Sequence, residues 1–326
     1  MENQPLFENR LNVADLNGMA QNIRQEISKV IVGQEQVLDL LLTALLSNGH
    51  VLLEGVPGIA KTMMAKLLAK TIHTDFSRIQ FTPDLMPSDV IGTTVFHAGR
   101  SEFEFKPGPL FSNLVLIDEI NRSPAKTQAA LFEAMEERQV TVDGHTYQME
   151  PPFLVIATQN PVEHEGTYRL PEAQLDRFLF KIEVGYPSLE QEIKILSHTH
   201  TRQYHNPLES IRAVVSAQDI MRYQKVVSQI VVEEHLIHYI AKIIEKTRHS
   251  NALYLGASPR ASIAVLNASK AWAALEGRDF VTPDDIRYVL TPVLRHRIIL
   301  TPEKEMEGVK PEAVIKQVVD SVEVPR

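Results

Sequence analysis

The stretch HVLLEGVPGIAKTMMAKLLAK, residues 50–70, places a glycine-containing loop between a short apolar strand and a helix. This order is typical of a phosphate-binding P-loop, whose usual pattern is G, four residues, then G-K-[ST]. The chain has Gly55, four residues, and then Ala60, Lys61 and Thr62. In such a loop, backbone N–H groups and the following helix hold phosphates, the lysine neutralises them, and the hydroxyl coordinates Mg²⁺. Because residue 60 is alanine instead of glycine, the stretch taken alone also fits an ordinary turn before a helix.

The backbone conformation of Ala60 determines what this alanine costs. If residue 60 has right-handed, helix-compatible dihedral angles, alanine is favoured over glycine by roughly 0.5–1 kcal/mol. If the loop demands a left-handed conformation, alanine costs about 1–2 kcal/mol. A micromolar ligand contributes roughly 8 kcal/mol of binding free energy. Neither conformation therefore abolishes binding, and the sequence leaves the two alternatives open.

Two adjacent carboxylates follow a run of four apolar residues. Residues 114–117 predict a buried strand, and Asp118 and Glu119 stand at its carboxyl end. Burying two carboxylates there is unfavourable in free energy unless their charge is compensated, and a bound Mg²⁺ would compensate it. We expect Asp118 to hold the metal, usually through water, and Glu119 to orient and deprotonate the water that attacks a γ-phosphate. The alternative, ordinary solvated acids at a strand end, is disfavoured by the P-loop upstream.

Three further polar residues are candidates for phosphate contacts. Asn160 follows a predicted strand, and its amide could reach the γ-phosphate or the attacking water from between the two earlier strands, although an Asn-Pro pair also makes a simple turn. Arg260 is the second residue of a helix, where a cation opposes the dipole by about 0.3–1 kcal/mol and an anionic partner would explain it. Arg177 is the other candidate cation, and it could instead pair with Asp176 or Glu172.

Short β-rich segments alternate with helical segments from residue 50 to residue 184. The alternation predicts a parallel sheet between helices, and the apolar runs LVLI and FLVIA are typical of central strands buried on both faces. Segments 91–109 and 138–149 interrupt the alternation and predict β-hairpins, the second with Asp143-Gly144 as a type I′ turn. The expected fold class is therefore α/β, with a second domain that is all helical.

The domain boundary is predicted at residue 188, because β-rich runs fade beyond Pro187. Residues 1–188 form the expected α/β domain, including an N-terminal helix at 14–29, and residues 189–326 form the expected helical domain. In the second domain, SPRAS has Ser258 as N-cap and Pro259 at the first helical position, and TPDDI begins a further helix in the same way.

The composition excludes several classes of protein. With 326 residues, of which 44% are hydrophobic, two globular domains are expected. The absence of cysteine excludes disulfides, thiol catalysis and cysteine-ligated zinc. No apolar run approaches the roughly 18 residues of a membrane helix, and the N-terminus lacks an export signal, so we expect a soluble, unexported protein. The formal net charge of −8 and the pI near 5.9 disfavour a nucleic-acid binder.

Two clusters of basic or imidazole side chains are interpreted as surface features. Residues 295–297, Arg-His-Arg in VLRHRIIL, are interpreted as a solvated helix face. A group of histidines could ligate a metal, but a solvated linker and helix surface explain it more simply. These histidines are His198, His200, His205, His235 and His238.

Taken in order, GVPGIAKT, LVLIDEI, ATQNP, LPEAQLDRF and GASPRAS resemble the motifs of the AAA+ ATPases, and specifically of the MoxR family. The segments IVGQEQ, QFTPDLMPSDVIG and LFEAMEERQVTVDG extend the resemblance, which covers about residues 30–297. The related ATPase subunits of magnesium chelatase share the two hairpins. The resemblance implies an AAA+ P-loop NTPase core followed by an all-α lid domain, with ATP and Mg²⁺ as cofactors.

The resemblance also implies a role for each matching residue. The implied assignments are Lys61 and Thr62 as Walker A, Asp118 and Glu119 as Walker B, Asn160 as sensor 1, Arg177 as the arginine finger, Arg260 as sensor 2, and Val32 and Gly33 beside the adenine. The loop residues Gly55, Val56, Pro57, Gly58, Ile59 and Ala60 are expected to bind the nucleotide with them. Arg169 stands where the family commonly has proline, and it is interpreted as a surface substitution, with an auxiliary contact to a neighbouring subunit as the alternative.

By the same resemblance, the arginine finger reaches the nucleotide of a neighbouring subunit, which implies a ring, typically of six. The implied function is that of a cytoplasmic, ATP-driven chaperone for the assembly or maturation of protein complexes, with metal cofactor insertion as one form of that work. The implied partners are a protein client and a protein with a von Willebrand factor A domain. The alternatives are a motor subunit similar to that of magnesium chelatase, a nucleotide-gated scaffold without significant turnover, and a DNA motor, which the acidic charge disfavours.

Overall fold

The computed structural model describes residues 13–56, 58–161, 168, 170–202 and 206–325. They form two compact units. We call residues 22–221 the sheet unit, and the residues before Asn22 together with those from Arg222 onward the helical unit. The boundary at residue 188 stays a prediction, and in the present division the segment 189–221 belongs to the sheet unit. For example, the Val214 N–H group donates a 2.8 Å hydrogen bond to the Thr71 carbonyl.

The sheet unit carries the predicted alternation of strands and helices. In chain order, the elements from the N-terminus through this unit are α1 (Ala14–Ser28), α2 (Glu35–Leu46), β1 (Val51–Glu54), α3 (Lys61–Ile72), β2 (Phe76–Gln80), α4 (Pro87–Ile91), β3 (Gly92–His97), β4 (Glu102–Pro107), β5 (Leu114–Asp118), α5 (Ala125–Glu137), β6 (Gln139–Val142), β7 (His145–Gln148), β8 (Leu154–Gln159), α6 (Glu172–Leu175), β9 (Phe180–Glu183), α7 (Leu189–Arg202) and α8 (Ala217–Ser228).

A five-stranded sheet with the order β2-β5-β8-β1-β9 forms the centre of this unit, and all of its neighbouring strands are parallel. The side chains of Leu114–Asp118 are all buried, as expected for a central strand covered by helices on both faces. Strand β8 lies between β5 and β1, so the polar residues that follow β8 lie between the ends of the two other strands. This is the position that the sequence predicts for Asn160.

Both predicted hairpins are present. Strands β3 and β4 pair antiparallel, as do β6 and β7. Asp143 and Gly144 both have positive φ angles, 50° and 78°, as a type I′ turn requires. The two hairpins also contact each other, because the Thr94 hydroxyl donates a 2.6 Å hydrogen bond to the Asp143 carboxylate.

The later part of the helical unit contains the expected helices and one small addition. Its elements after α8 are α9 (Glu234–Arg248), β10 (Leu253–Leu255), α10 (Pro259–Leu275), α11 (Pro283–Leu294), β11 (Ile299–Leu300), α12 (Pro302–Met306) and α13 (Pro311–Asp320). Strands β10 and β11 form a short antiparallel pair that the helical pattern did not predict. The predicted helix start at Thr282 is confirmed, since Thr282 and Asp285 form a reciprocal capping box.

The interpretation of residues 295–297 as a solvated helix face is wrong. His296 and Arg297 are each only 8% exposed. The Arg297 guanidinium donates a 2.5 Å hydrogen bond to the Val293 carbonyl, and the Arg295 Nε atom lies 3.2 Å from the Glu312 carboxylate. The cluster follows the end of α11, where basic side chains can bond the last helical carbonyls and a neighbouring acid. A charge pattern alone does not distinguish this environment from a solvated one.

Candidate functional site

The P-loop connects the carboxyl end of β1 to the N-terminus of α3. Position 55 requires glycine because neighbouring atoms leave no space for a side chain. A Cβ atom there would lie 2.6 Å from both the Ile59 Cδ1 atom and the Val184 carbonyl oxygen. Gly58 has a φ angle of 87°, which glycine adopts without steric cost. Ala60, the residue before α3, has φ 61° and ψ 20°. The left-handed alternative for Ala60 therefore holds, with its cost of about 1–2 kcal/mol.

A cavity of about 430 Å³ lies between the start of α3 and the carboxyl ends of β5 and β8. Of the residues singled out in the sequence, it is lined by Gly58, Ala60, Lys61, Thr62, Asp118, Glu119 and Asn160. These side chains converge because the carboxyl ends of parallel strands meet at one edge of the sheet. At the mouth of the loop, the Lys61 ammonium donates a 2.5 Å hydrogen bond to the Gly55 carbonyl.

Asp118 is the more buried of the two adjacent acids, with 7% of its surface exposed. Both of its carboxylate oxygens accept hydrogen bonds. The Arg78 Nε atom donates to Oδ2 at 2.6 Å, and the Thr158 hydroxyl donates to Oδ1 at 3.2 Å. This buried carboxylate is therefore stabilised by one cation and one hydroxyl from the two neighbouring strands.

Glu119 has a different environment from Asp118. Its left-handed backbone, with φ 58° and ψ 54°, ends strand β5. The Glu119 Oε2 atom accepts a 2.7 Å hydrogen bond from the Gln80 amide and lies 3.2 Å from the Arg122 Nε atom. Its backbone N–H group donates to the Thr158 hydroxyl at 3.1 Å. Thr158 thus links the two acids to each other through one hydroxyl.

Five residues that line the cavity were not singled out in the sequence, namely Met63, Lys66, Arg78, Gln80 and Thr158. A signal for two of them was available. Arg78 and Gln80 alternate along β2, and alternate residues of a strand project to the same face of a sheet. Because β2 pairs with β5, with Gln80 opposite Asp118, polar side chains at these two positions reach the acidic pair. The place of β2 beside β5 comes from the topology, which the sequence did not specify.

The residues of this cavity fit Mg²⁺. A hydroxyl and a carboxylate, from Thr62 and Asp118, line the same cavity. Mg²⁺ prefers oxygen ligands and is usually bound by one or two protein groups, waters and substrate phosphates. The donor set is therefore of the right chemical class, with room beside it for phosphates.

A second cavity, of about 380 Å³, lies on the other side of the P-loop. Val32 and Gly33, which the resemblance places beside the adenine, line it together with Ile59. Tyr186 and Leu196, which the sequence analysis did not single out, form part of the same wall. Planar and apolar side chains suit a heterocyclic base better than a phosphate. Gly58 and Ala60 border both cavities, so a ligand that passes the P-loop can occupy both.

Arg177 lies in a separate cavity of about 200 Å³ beside α5. Its guanidinium donates a 2.5 Å hydrogen bond to the Phe132 carbonyl, and its Nε atom lies 3.4 Å from the Glu136 carboxylate. The sequence offered two local acids, Asp176 and Glu172, as partners of Arg177. The acid beside it in the structure is instead Glu136, which is distant in sequence. In this arrangement Arg177 is bonded within its own chain.

The remaining candidates are placed as follows. Arg260 is an exposed residue in the first turn of α10, in the helical unit. Gly55 and Val56 precede the cavity-lining part of the loop, while Pro57, Arg169 and His205 lie outside the described residues. The histidines at 198, 200, 235 and 238 are exposed. In the part of the chain that the structure describes, no set of three or more His, Cys, Asp or Glu is arranged to hold a metal, and no helix has the length and apolarity of a membrane span.

Two family models match the chain. The model described as "ATPase family associated with various cellular activities (AAA)" matches residues 50–180, which include the P-loop, the acidic pair, Asn160 and Arg177. A model described as an AAA lid domain matches residues 245–318, which include Arg260.

The chain is also similar to individual proteins over nearly its whole length. It is 50% identical over 311 residues to YeaC of Bacillus subtilis, which covers 95% of this chain and 96% of that protein. It is 46% identical over 310 residues to Chaperone MoxR1 of Mycobacterium tuberculosis, covering 92% of this chain and 81% of that one. The crystal structure of a candidate ATPase from Cytophaga hutchinsonii superimposes with a TM-score of 0.89 at 41% identity, covering 97% of both chains. These similarities confirm the predicted fold class, a parallel sheet between helices followed by a helical lid.

Proposed function

Because this chain belongs to the MoxR family of AAA ATPases, we propose that it is a magnesium-dependent ATPase that works as a ring-forming chaperone. The observation that carries the proposal is the convergence of Lys61, Thr62, Asp118 and Glu119 on one cavity at the end of a parallel sheet. A phosphate cradle, two oxygen donors for a metal and a second carboxylate beside them are the groups that hydrolysis of a phosphoric anhydride requires.

In the proposed reaction, Lys61 leaves the Gly55 carbonyl and contacts the terminal phosphates. Thr62 and Asp118 hold Mg²⁺, which when bound neutralises charge that develops on the phosphate oxygens. Glu119 accepts a proton from the attacking water as the new bond to the γ-phosphorus forms and the bond to the β-phosphate oxygen breaks. Asn160 orients that water or the γ-phosphate through its amide. The products are ADP and inorganic phosphate.

The resting contacts of Glu119 bear on this mechanism. Its Oε2 atom accepts a hydrogen bond from the Gln80 amide and lies close to the Arg122 Nε atom. A carboxylate oxygen held by these two contacts does not face the attacking water until one of the contacts opens. We therefore propose that the subunit by itself is close to inactive.

The proposal extends to assembly. Arg177 is proposed as an arginine finger that acts on the nucleotide of a neighbouring subunit, and such a group contributes about 10³–10⁵ in rate. Arg260 is proposed to sense the nucleotide from the lid. Together these roles favour a ring, with six subunits as the expected number.

The chaperone part of the proposal is supported by the relative named Chaperone MoxR1. We propose that the ring is cytoplasmic and uses cycles of ATP hydrolysis to assemble or mature protein complexes, including complexes that acquire a metal cofactor. A protein with a von Willebrand factor A domain is the proposed partner that connects the ring to its client.

The variant Glu119→Gln tests the catalytic proposal. It retains the shape of the side chain but cannot accept the proton, so we expect ATPase activity to fall by about 10²-fold or more while ATP binding is kept. Phosphate release is measured against protein concentration, and nucleotide affinity is measured with a fluorescent ATP analogue. Glu245→Gln, an exposed residue of α9, is the matched control and should behave as the wild type.

If the wild type releases no phosphate at any concentration with Mg²⁺ present, and Glu119→Gln is indistinguishable from it, the hydrolytic function is wrong. Nucleotide-dependent ring formation in that same sample would then support the scaffold without turnover. If turnover is present, immobilised Glu119→Gln loaded with ATP should retain clients that are lost when ADP replaces ATP.

A further inference from the structure

Arg78 contacts the acid that is expected to hold the metal. It lies on β2 and lines the 430 Å³ cavity, and 48% of its side chain is exposed. Its Nε atom donates a 2.6 Å hydrogen bond to the Asp118 Oδ2 atom. At this length the bond is a short, charge-assisted one, and such bonds are about twice as strong as neutral ones.

The charge balance of the cavity explains why this contact exists. Asp118 is nearly buried, and a buried carboxylate without a cationic or hydrogen-bonding partner is strongly disfavoured. Arg78 supplies the positive charge and Thr158 supplies a hydroxyl, so each carboxylate oxygen has a donor. When Mg²⁺ is held at the same acid, a second cation becomes available, and the charge of Arg78 is no longer required there. Two cations at one carboxylate also repel each other.

The alternation of β2 makes the arrangement specific. Arg78 contacts Asp118, and Gln80, two residues later on the same face, contacts Glu119. Each of the two acids is therefore hydrogen-bonded by a different side chain of β2. Arg78 also shares the cavity with Lys61 and Thr62, so a side chain that leaves Asp118 remains within the space where phosphates are expected.

We propose that Arg78 is a positioning residue that neutralises Asp118 while no metal is bound and is released from Asp118 when Mg²⁺ is held there. This inference rests on the proposed function, because it assumes that the cavity binds a nucleotide. Its consequence is that the protein keeps appreciable affinity for nucleotide without metal, since Asp118 does not face the phosphates as a bare charge.

The test compares ATP affinity with Mg²⁺ and with EDTA for the wild type and for Arg78→Gln, using a fluorescent ATP analogue. We expect Arg78→Gln to weaken binding about tenfold in EDTA, because the Asp118 carboxylate then repels the phosphates, and by no more than about threefold with Mg²⁺, which neutralises Asp118 in place of Arg78. The ratio of the dissociation constant in EDTA to that in Mg²⁺ should therefore be larger for Arg78→Gln than for the wild type. Arg78→Lys keeps the charge and should give an intermediate ratio.

Arg24→Gln is the matched control. The Arg24 Nε atom donates a 2.7 Å hydrogen bond to Asp39, so the variant removes a similar pair from the same unit, outside the 430 Å³ cavity. Its ratio should equal that of the wild type. If Arg78→Gln and Arg78→Lys weaken binding equally in Mg²⁺ and EDTA, Arg78 is merely structural and the inference is wrong. If the wild type binds no nucleotide under either condition, the proposed function itself is wrong, which is a distinguishable result.

Discussion

Ala60 and Glu119 are non-glycine residues with left-handed backbones, and both border the cavity that is proposed to bind phosphates. Such a conformation costs a residue with a Cβ atom about 1–2 kcal/mol. Strained residues of this kind persist only where the surrounding structure enforces them, and they cluster at functional sites. Ala60 ends the P-loop and Glu119 ends β5, so each of the two turns that shape the cavity contains one such residue.

Replacing Ala60 by glycine should relieve this strain. We expect Ala60→Gly to stabilise the loop by up to about 1–2 kcal/mol and to leave nucleotide affinity within about tenfold of the wild type. Thermal unfolding and the dissociation constant of a fluorescent ATP analogue measure the two effects. Ala129→Gly is the matched control, because Ala129 is an exposed residue inside α5. There the same change should destabilise by about 0.5–1 kcal/mol.

Two outcomes would contradict this account of Ala60. A loss of stability in Ala60→Gly similar to that of Ala129→Gly would mean that residue 60 is right-handed in solution. A gain in nucleotide affinity above about a hundredfold would mean that the alanine methyl group obstructs the phosphates, which exceeds the cost of backbone strain alone.

At the scale of elements, His50 ties three of them together. It lies just before β1, and its Nε2 atom is 3.1 Å from the Met135 carbonyl of α5, while its Nδ1 atom accepts a 3.0 Å hydrogen bond from the Val155 N–H group of β8. The imidazole is therefore neutral with its proton on Nε2. Burial, reinforced by the nearby positive charge of Arg138, lowers the pKa of His50 to about 3.

This lowered pKa makes the sheet unit sensitive to acid. The unfolded chain binds a proton at His50 below about pH 6.5 whereas the folded chain does not, so the contribution of His50 is complete above pH 6.5 and is lost as the pH falls towards 3. The expected loss is up to about 1.4 kcal/mol per pH unit in this window. Amide hydrogen exchange of the β1 and β8 peptides, corrected for the intrinsic rate, measures it. The single tryptophan, Trp272, lies in the helical unit and is not a suitable probe.

His50→Gln should remove this part of the pH dependence, because glutamine does not titrate. The variant also loses stability at neutral pH, but the slope against pH is the relevant quantity. His249→Gln, which replaces an exposed histidine, should keep the wild-type slope. Equal slopes for the wild type and His50→Gln would show that His50 is already protonated or solvated in the folded protein.

Local patterns predicted most elements well, and their failures have identifiable causes. The apolar run at 114–117 and the Asp143-Gly144 turn carry strong local signals, and both were confirmed. The β10–β11 pair was missed because its strands have three and two residues and are far apart in sequence. The burial of Arg297 was missed because a basic residue at a helix end can be solvated or bonded to carbonyls with the same sequence.

At the scale of the whole molecule, the proposed ring makes each active site a composite of two subunits. Lys61→Ala should not bind nucleotide but still carries Arg177, and Arg177→Ala should bind nucleotide without a finger. Lys61→Ala alone should be inactive. Arg177→Ala alone should lose a factor of about 10³–10⁵ in rate, the contribution of such an arginine. Mixing the two should restore phosphate release, because the Lys61→Ala subunit supplies Arg177 to the nucleotide of its neighbour.

The control for this mixture is Lys61→Ala combined with a subunit that carries both substitutions, which offers no complete site. If the first mixture is as inactive as this control, although the variants assemble together, Arg177 does not act between subunits. Activity of Arg177→Ala alone at the wild-type level would exclude the finger role altogether. The bonds from Arg177 to Phe132 and Glu136 would then be its structural function.

The sequence by itself determined the P-loop, the acidic pair and the alternation of strands and helices, because each depends on residues that are close together in the chain. Only the tertiary structure decided that Ala60 is left-handed, that β8 lies between β5 and β1, and that Arg78 contacts Asp118. These features depend on which strands become neighbours and on how the loop is held. Burial and strand order are properties of the packed chain, so side chains that are distant in sequence meet there without a local signal.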